Sequence, residues 1–562
     1  MISQTVFDTS EVLARKGIQH VVLSPGSRNA PLTISFARNP KIITYNIVDE
    51  RSAGFIALGI AQKTKSAVVL CCTSGTSLLN YAPAIAEAYY QHIPLIVMSA
   101  DRPAEWLDQR DGQTIHQLGA ISNFVKKTFQ LPAETSKDID AWEYNRKLNE
   151  AVNLSVTGAK GPVHINIPFR EPFYPKANDV LEFSEAPRVL EPIVLKGEVV
   201  NNELITEYYK FDKKLIIAGQ HELDLELTEL LRQVDDATVV ADVISNLKGE
   251  QFIYHQDLFL AGIGSELAES LRPDLLITFG KSVISKNLKL FIRKFPPKEH
   301  WHFDDAMVHA DTFQTMTKLI GSEFKTFLSQ LNQTRVEVSD FQLQKSKNYQ
   351  QNWKVQNDQV SKKLPLAISE SPFCEFQAFQ KVLSLIPDEA DIHLANSMPV
   401  RFANFIQNLK PNQEVFCNRG TSGIDGTNGT AVGHAMIADK PVWLLTGDLS
   451  FFYDRNCFFH QHAFSNLKII VFNNSGGGIF RLIPGPSSQP ELVQHFETRH
   501  SHSAKFTALE YGFDYHVAKD LDGIQKAMNS LNHDEKSPKL LEVFTDPEVN
   551  SSEYIRIKND LK

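Results

Sequence analysis

The sequence predicts an α/β protein of three domains, each built on a doubly wound parallel sheet, and three observations lead there. The chain has 562 residues, which at roughly 100–200 residues per domain gives about three. Short β-branched apolar runs recur along it, each ending in Gly, Ser, Asn or Asp and followed by a helix-like stretch. That is the rhythm of βαβ units whose strands are buried on both faces. Two stretches without clear periodicity, Phe169–Asn202 and Gln333–Lys363, divide the chain.

Taken in order, residues 1–180 hold strand-like runs at 20–26 (HVVLSPG), 66–75 (SAVVLCCTSG), 94–103 (PLIVMSADRP) and 161–168 (GPVHINIP). The Pro- and Glu-rich stretch that follows reads as a linker. Residues 190–335 repeat the pattern at 214–220, 237–245, 274–282 and 300–305. The Gln/Lys/Asn-rich stretch after them has few large apolar residues and reads as a connecting segment with an exposed helix. Residues 365–562 form the third unit, with runs at 391–399, 441–451, 467–478 and 539–546.

Composition narrows the function. Lys and Arg number 57 against 66 Asp and Glu, a net charge of −9, the wrong sign for coating a nucleic acid or an anionic membrane. Anionic ligands must then be caught by locally placed cations. The five cysteines include no C-x-x-C pair, which fits reduced thiols in the cytoplasm rather than disulfides or a zinc cage. The first residues lack the basic and apolar regions of a secretory signal, and no apolar run approaches the roughly 20 residues that span a bilayer. The expectation is a soluble cytoplasmic protein.

The most specific motif lies in the third unit: Thr446-Gly447-Asp448-Leu449-Ser450, and 26 residues after Asp448 the pair Asn473-Asn474 with Gly476, Gly477 and Gly478 behind it. An Asp and an Asn at the ends of successive strands put two oxygen donors side by side on the edge where open parallel sheets bind ligands. The Asp448 carboxylate, the Asn474 side-chain carbonyl and one backbone carbonyl, that of Gly476, suit Mg²⁺, with Mn²⁺ as a substitute. The glycines remove side chains where a diphosphate would approach the backbone.

This pairing resembles the diphosphate-binding motif of thiamine-diphosphate (ThDP) enzymes. With Ser24-Pro25-Gly26-Ser27-Arg28-Asn29, Ser99-Ala100-Asp101-Arg102-Pro103 and Gln113 downstream, Asn396-Ser397-Met398-Pro399-Val400-Arg401, and Asn418-Arg419-Gly420-Thr421-Ser422-Gly423-Ile424, the chain resembles the SEPHCHC synthase (MenD) family of menaquinone biosynthesis. In that family the third motif position is also Leu, as at Leu449. The resemblance implies the ThDP-enzyme architecture: a pyrimidine-binding domain, a central domain and a diphosphate-binding domain. It further implies a transferase that decarboxylates 2-oxoglutarate and adds the resulting four-carbon carbanion to isochorismate in a 1,4 manner.

The resemblance also assigns roles. Glu50 matches the carboxylic acid that hydrogen-bonds N1′ of the aminopyrimidine and so makes the cofactor its own base; Ile424 matches the apolar residue that keeps ThDP bent. Cofactor binding falls to Glu50, Ile424, Gly447, Asp448, Leu449, Asn474, Gly476 and Gly477. Both substrates are dianions, and planar guanidinium forks suit them: Arg28, Arg102, Arg401 and Arg419, accompanied by Ser27, Gln113, Asn396 and Ser397. Lys286 resembles a family lysine that reaches the pocket from the middle domain, though Asn287 stands where a second basic residue is expected. Phe480 and Ile483 match apolar cavity residues. The family places each cofactor between subunits, so a homodimer is the smallest active unit and a homotetramer is common.

Other readings are another ThDP-dependent 2-oxoacid decarboxylase or carboligase, and a dinucleotide-binding oxidoreductase. Gly262 and Gly264 lack the third glycine of a dinucleotide fingerprint. The pairs His460/His462 and His500/His502 lack further metal-binding partners, and Ser422 lacks the hydrolase spacing.

Overall fold

A computed structural model describes residues 3–561 apart from 172, 177–179, 194–201, 335–338 and 534–535. Parts of the linker and of the connecting segment therefore lie outside the described residues. The first sheet contains β1 (His20–Leu23), β2 (Ile43–Asn46), β3 (Val68–Cys72), β4 (Leu95–Asp101), β5 (Thr128–Gln130) and β6 (Val163–Pro168), in the order β2-β1-β3-β4-β6-β5. The second contains β7 (Lys214–Ala218), β8 (Thr238–Ala241), β9 (Leu275–Phe279), β10 (Glu299–Phe303) and β11 (Lys318–Ile320), ordered β11-β10-β9-β7-β8. The third contains β12 (Asp391–Leu394), β13 (Glu414–Phe416), β14 (Val442–Gly447), β15 (Leu467–Asn473), β16 (Asp514–Ala518) and β17 (Lys539–Phe544), ordered β13-β12-β14-β15-β17-β16.

Neighbouring strands run parallel in all three sheets. The central strands β3, β4, β6, β7 and β15 are buried along their whole length, which is why they read as unbroken apolar runs. The first and third sheets share one strand order, a repeat of architecture without a repeat of sequence. In each, the order reverses beside the first strand, and the loops leaving the strands there are where open α/β sheets hold ligands. These loops carry the 24–29, 396–401 and 447–450 motifs.

The first and third domains share a core. The helix Glu50–Thr64 packs on Thr427–Ala435, and the buried cluster there runs from Phe55, Ile56 and Ile60 to Ala431, Val432 and Phe451. Glycine sets the distance: a Cβ on Gly59 would lie 2.0 Å from the Thr430 carbonyl, and one on Gly433 2.0 Å from that of Ile56. Backbone meets backbone at this crossing, so the helix that starts with Glu50 is held rigidly against the third domain.

The connecting segment departs from its reading as an exposed helix. Asp340–Ser369 is one helix of 30 residues, about 45 Å long at 1.5 Å per residue. Tyr349, Trp353, Val360, Leu364 and Ile368 recur on one face and are buried, joining the second and third domains in a single apolar cluster. A few apolar residues at intervals of three and four suffice for a buried stripe. The Tyr349 hydroxyl and the Trp353 indole both donate to the Leu271 carbonyl, at 3.0 and 3.1 Å. The described part of the linker runs back over the first domain, where Arg15 donates to the Glu185 and Pro187 carbonyls.

Candidate active site

At the edge of the third sheet, Asp448 opens a helix directly after β14 and is 2 % exposed. Its carboxylate accepts from the Leu449 and Gly476 backbone N–H groups at 2.7 and 2.9 Å. His500 Nε2 stands 3.2 Å from Oδ2. Asn474 follows the adjacent β15 and donates through Nδ2 to Glu375 at 2.8 Å. Its Oδ1 is buried with no hydrogen-bond partner among the described residues, an arrangement that costs about 1–3 kcal/mol unless something fills it.

Gly476, at φ +155°, would place a Cβ 2.7 Å from the Glu497 carbonyl, and Gly477 would place one 3.1 Å from the Phe480 ring. A Cβ on Gly447 would meet nothing within 4 Å, so the space before the sheet edge is open. Ser450 Oγ donates to the Ile424 carbonyl at 2.8 Å, fixing Ile424 to the same turn as the half-buried Leu449.

These residues fit a hard divalent ion carrying a diphosphate. The donors are oxygens, one is a buried carbonyl lacking a partner among the described residues, and the glycine turn leaves backbone exposed where phosphate would lie. Among the described residues no group of three or more His, Cys, Asp or Glu is placed to hold a metal; an Asp–Asn–carbonyl set is a different kind of site. Glu375, which sequence reading missed, lies 3 % exposed behind Asn474. Burial pushes its carboxyl up to about 7; the Asn474 hydrogen bond opposes this and the Asp448 charge adds to it.

A second group forms after β12. Asn396 donates to the Asn418 and Gly423 carbonyls at 2.6 and 2.7 Å and accepts from Arg419 at 2.9 Å. Ser397, at φ +74°, turns the chain into the helix Met398–Ile406, and Arg401 donates to the Ser397 carbonyl. Burial lowers the pKa of Arg401 from its usual value, with the charge of Arg419 lowering it further. Arg419 Nε is buried without a hydrogen-bond partner among the described residues. Two neighbouring guanidinium groups with an unused donor form a place for an anion.

The Arg419 turn is gripped from the first domain by Glu87, which sequence reading also missed. One Glu87 oxygen accepts from the Gly420 N–H at 2.7 Å, the other from the Thr421 N–H at 2.7 Å and the Thr421 hydroxyl at 2.6 Å. From the middle domain, Lys286 begins the helix Lys286–Lys294 and is exposed. Lys289, three residues on, is half-buried. Burial lowers its pKa; Asp242 opposes this and Arg419 adds to it. Lys289 thus stands in the field of Arg419.

The first domain carries the third group. Asp49 caps the Glu50 helix by accepting from the Ser52 N–H at 3.2 Å. The Glu50 carboxylate accepts from the Ser77 hydroxyl at 2.7 Å and from Asn80 at 3.5 Å. Its neighbours reach the third domain instead: Asn456 donates to Asp49 at 3.0 Å, and Arg51 donates to the Tyr453 carbonyl at 2.9 Å.

Arg28 is buried, donates to the Phe169 carbonyl at 2.8 Å and lies over the Phe173 ring. Arg102 pairs with Asp111 at 2.6 Å. Burial lowers the pKa of Arg28 and the charge of Arg102 adds to the shift, so these two guanidinium groups also share a field. Ser27 and Gln113 are exposed beside them. Gln117 pins this loop to the turn before Ser77: it accepts from the Gly75 N–H at 2.7 Å and donates to Asn166 at 2.9 Å. Phe480 packs against Phe496, and Ile483 is 39 % exposed. The structure therefore gathers Ile424, Gly447–Leu449, Asn474, Gly476 and Gly477 in one place, and Asn396, Ser397, Arg401 and Arg419 in another. The hydrogen bonds of Glu50 stay within the first domain.

Comparison with known proteins matches this division. Residues 6–121 match the family described as thiamine pyrophosphate enzyme, N-terminal TPP binding domain, and residues 397–543 match the corresponding C-terminal TPP binding domain. The fold and these two regions define a ThDP-dependent enzyme. Over its whole length the chain is 43 % identical to a 2-succinyl-5-enolpyruvyl-6-hydroxy-3-cyclohexene-1-carboxylate synthase of Cytophaga hutchinsonii, covering 100 % of this chain and 99 % of that one. Proteins of the same name from Flavobacterium johnsoniae (38 %, covering 95 % of each chain) and Porphyromonas gingivalis (38 %, covering 95 % and 93 %) are similar throughout. The chain belongs to the 2-succinyl-5-enolpyruvyl-6-hydroxy-3-cyclohexene-1-carboxylate synthase family. No helix among the described residues is long and apolar enough to cross a membrane.

Proposed function

We propose that this enzyme decarboxylates 2-oxoglutarate and adds the remaining four carbons to isochorismate in a 1,4 manner. The products are 2-succinyl-5-enolpyruvyl-6-hydroxy-3-cyclohexene-1-carboxylate, for menaquinone biosynthesis in the cytoplasm, and CO₂. ThDP, when bound, supplies the carbon nucleophile and the electron sink. The observation that carries the reading is the buried Asn474 Oδ1 beside Asp448, which has no hydrogen-bond partner among the described residues, in a chain whose relatives bear the name of this product.

Asp448, Asn474 and the Gly476 carbonyl would hold Mg²⁺, or Mn²⁺ in its place, and through it the diphosphate; Gly447, Leu449 and Gly477 shape the turn around it. Ile424 would support the bound cofactor. Glu50 holds a proton at N1′ of the aminopyrimidine. Arg401 and Arg419, with Asn396 and Ser397, bind and orient one set of substrate carboxylates; Arg28 and Arg102, with Ser27 and Gln113, bind another; Lys286 contributes from the middle domain. Phe480 and Ile483 exclude water. Electrostatic positioning of this kind needs no protein nucleophile.

The Glu50 hydrogen bonds within its own domain favour a homo-oligomer in which Glu50 of one subunit serves a cofactor held by Asp448 of another. The test is release of CO₂ from 2-oxoglutarate labelled at its C1 carboxyl. Release that needs ThDP, Mg²⁺ and isochorismate together supports the reading; equal release from pyruvate contradicts the assignment of the donor.

A further inference from the structure

Metal ligands depend on the groups behind them, and an asparagine depends on them most. Its amide has an oxygen face and a nitrogen face, and a hard ion accepts only the oxygen. Which face Asn474 turns to the sheet edge is decided by its neighbour. Glu375 Oε2 accepts from Asn474 Nδ2 at 2.8 Å, so the amide nitrogen faces the carboxylate and Oδ1 points away, buried and without a partner among the described residues.

Glu375 is itself fixed. It is the first residue of the helix Glu375–Leu385, and its backbone N–H donates to Asn550 Oδ1 at 2.8 Å. A backbone N–H can only donate, which settles the orientation of the Asn550 amide. Asn550 Nδ2 then donates to Glu375 Oε2 at 3.3 Å and to Thr545 Oγ1 at 2.9 Å. Three segments far apart in the chain thus form one chain of hydrogen bonds, from Asn550 through Glu375 to Asn474, with a single consistent polarity.

From this geometry we infer that Glu375 is a positioning residue of the divalent-ion site: it turns the Asn474 carbonyl toward the ion and places a second buried carboxylate behind Asp448. The inference rests on the metal reading given under Proposed function. Groups that orient metal ligands in this way typically contribute 10- to 100-fold in metal affinity.

The test is Mn²⁺ binding by the full-length protein at saturating ThDP, with the free ion counted by electron paramagnetic resonance. The near-isosteric Glu375→Gln removes the charge and can donate to Asn474 Oδ1, letting the amide turn over. It is expected to weaken Mn²⁺ binding by about 10- to 100-fold while the apo protein melts as the wild type does. The double variant Glu375→Gln/Asn474→Asp exchanges the partners. The amide introduced by the first change then donates to one oxygen of the carboxylate introduced by the second and leaves the other oxygen for the ion, and affinity is expected to return to within a few-fold of wild type. A general loss of packing at position 375 would not be repaired by a change at 474, so the double variant decides the matter even if the single variant folds poorly. Wild-type affinity in Glu375→Gln, or a double variant that folds and binds as weakly as the single one, overturns the inference. A wild-type protein that fails to retain Mn²⁺ with ThDP overturns the metal reading itself, and this inference with it.

Discussion

Glu87→Gln tests how the first domain sets the arginine turn of the third. Both carboxylate oxygens are in use: Oε1 accepts from the Gly420 N–H and from Gln91, and Oε2 accepts from the Thr421 N–H and hydroxyl. Whichever oxygen becomes NH₂, one backbone N–H of the turn, that of Gly420 or that of Thr421, loses its acceptor and faces a donor. The site offers no escape, since Glu87 is 1 % exposed and a Cβ on Gly420 would lie 2.6 Å from the Glu87 carbonyl. At about 1.5–3 kcal/mol for a hydrogen bond to a charged group, that loss alone costs the intact turn about 1.5–3 kcal/mol. That is enough to release residues 418–421 from their grip while the rest of the fold stands.

The consequence falls on Arg419, one residue before Gly420. Losing one well-placed guanidinium contact of about 1.5–3 kcal/mol corresponds to roughly a 10- to 100-fold rise in KM for the anionic substrate it binds. ThDP affinity should stay at the wild-type value, because Asp448 and Asn474 lie on other strand ends. The assay is steady-state kinetics with 2-oxoglutarate and isochorismate varied in turn, alongside ThDP binding and thermal melting. A variant with unchanged KM for both substrates and an unchanged melting temperature would refute the reasoning.

Three further outcomes are expected. Glu50→Gln should bind ThDP normally and lose about 100-fold or more in turnover, the usual worth of a positioned acid–base group; near-wild-type kcat would remove Glu50 from the chemistry. Gly433→Ala drives a Cβ to 2.0 Å from the Ile56 carbonyl and should cost about 1–3 kcal/mol as the two helices part, measured as a fall in calorimetric melting temperature. His164 is fully buried and burial holds its pKa down to about 3. Below its ordinary value of 6.5 the unfolded chain takes up a proton that the folded chain does not. Stability is therefore lost as pH falls from 6.5 toward 3, by about 1 kcal/mol per pH unit; His164→Asn should remove that share of the slope in urea titrations at several pH values.

Much of this architecture can be read from residue order alone, because its signals are local. Strands buried on both faces print as continuous apolar runs, and Asp448 and Asn474 sit at the ends of the adjacent strands β14 and β15, so their spacing reflects one βαβ unit. The rest depends on contacts between distant segments. Glu375 meets Asn474 across 99 positions and Glu87 meets Gly420 across 333; in sequence each is an ordinary acidic residue in a helix. The helix Asp340–Ser369 looked exposed because its composition is polar, although its sparse apolar residues keep helical register. Lys289, three residues after Lys286 on the same helix, carries no motif of its own, and its half-burial near Arg419 depends on how the helix docks.

In the proposed reaction a divalent ion and ThDP, held by the 448–477 edge, serve a carboligation between two dianions. Its most direct test is an omission series on the purified protein, following loss of isochorismate and the mass of the product. Isochorismate is expected to disappear only when ThDP, Mg²⁺ and 2-oxoglutarate are all present, giving 2-succinyl-5-enolpyruvyl-6-hydroxy-3-cyclohexene-1-carboxylate in equal amount with CO₂. Consumption of isochorismate that continues without ThDP or without 2-oxoglutarate would contradict it.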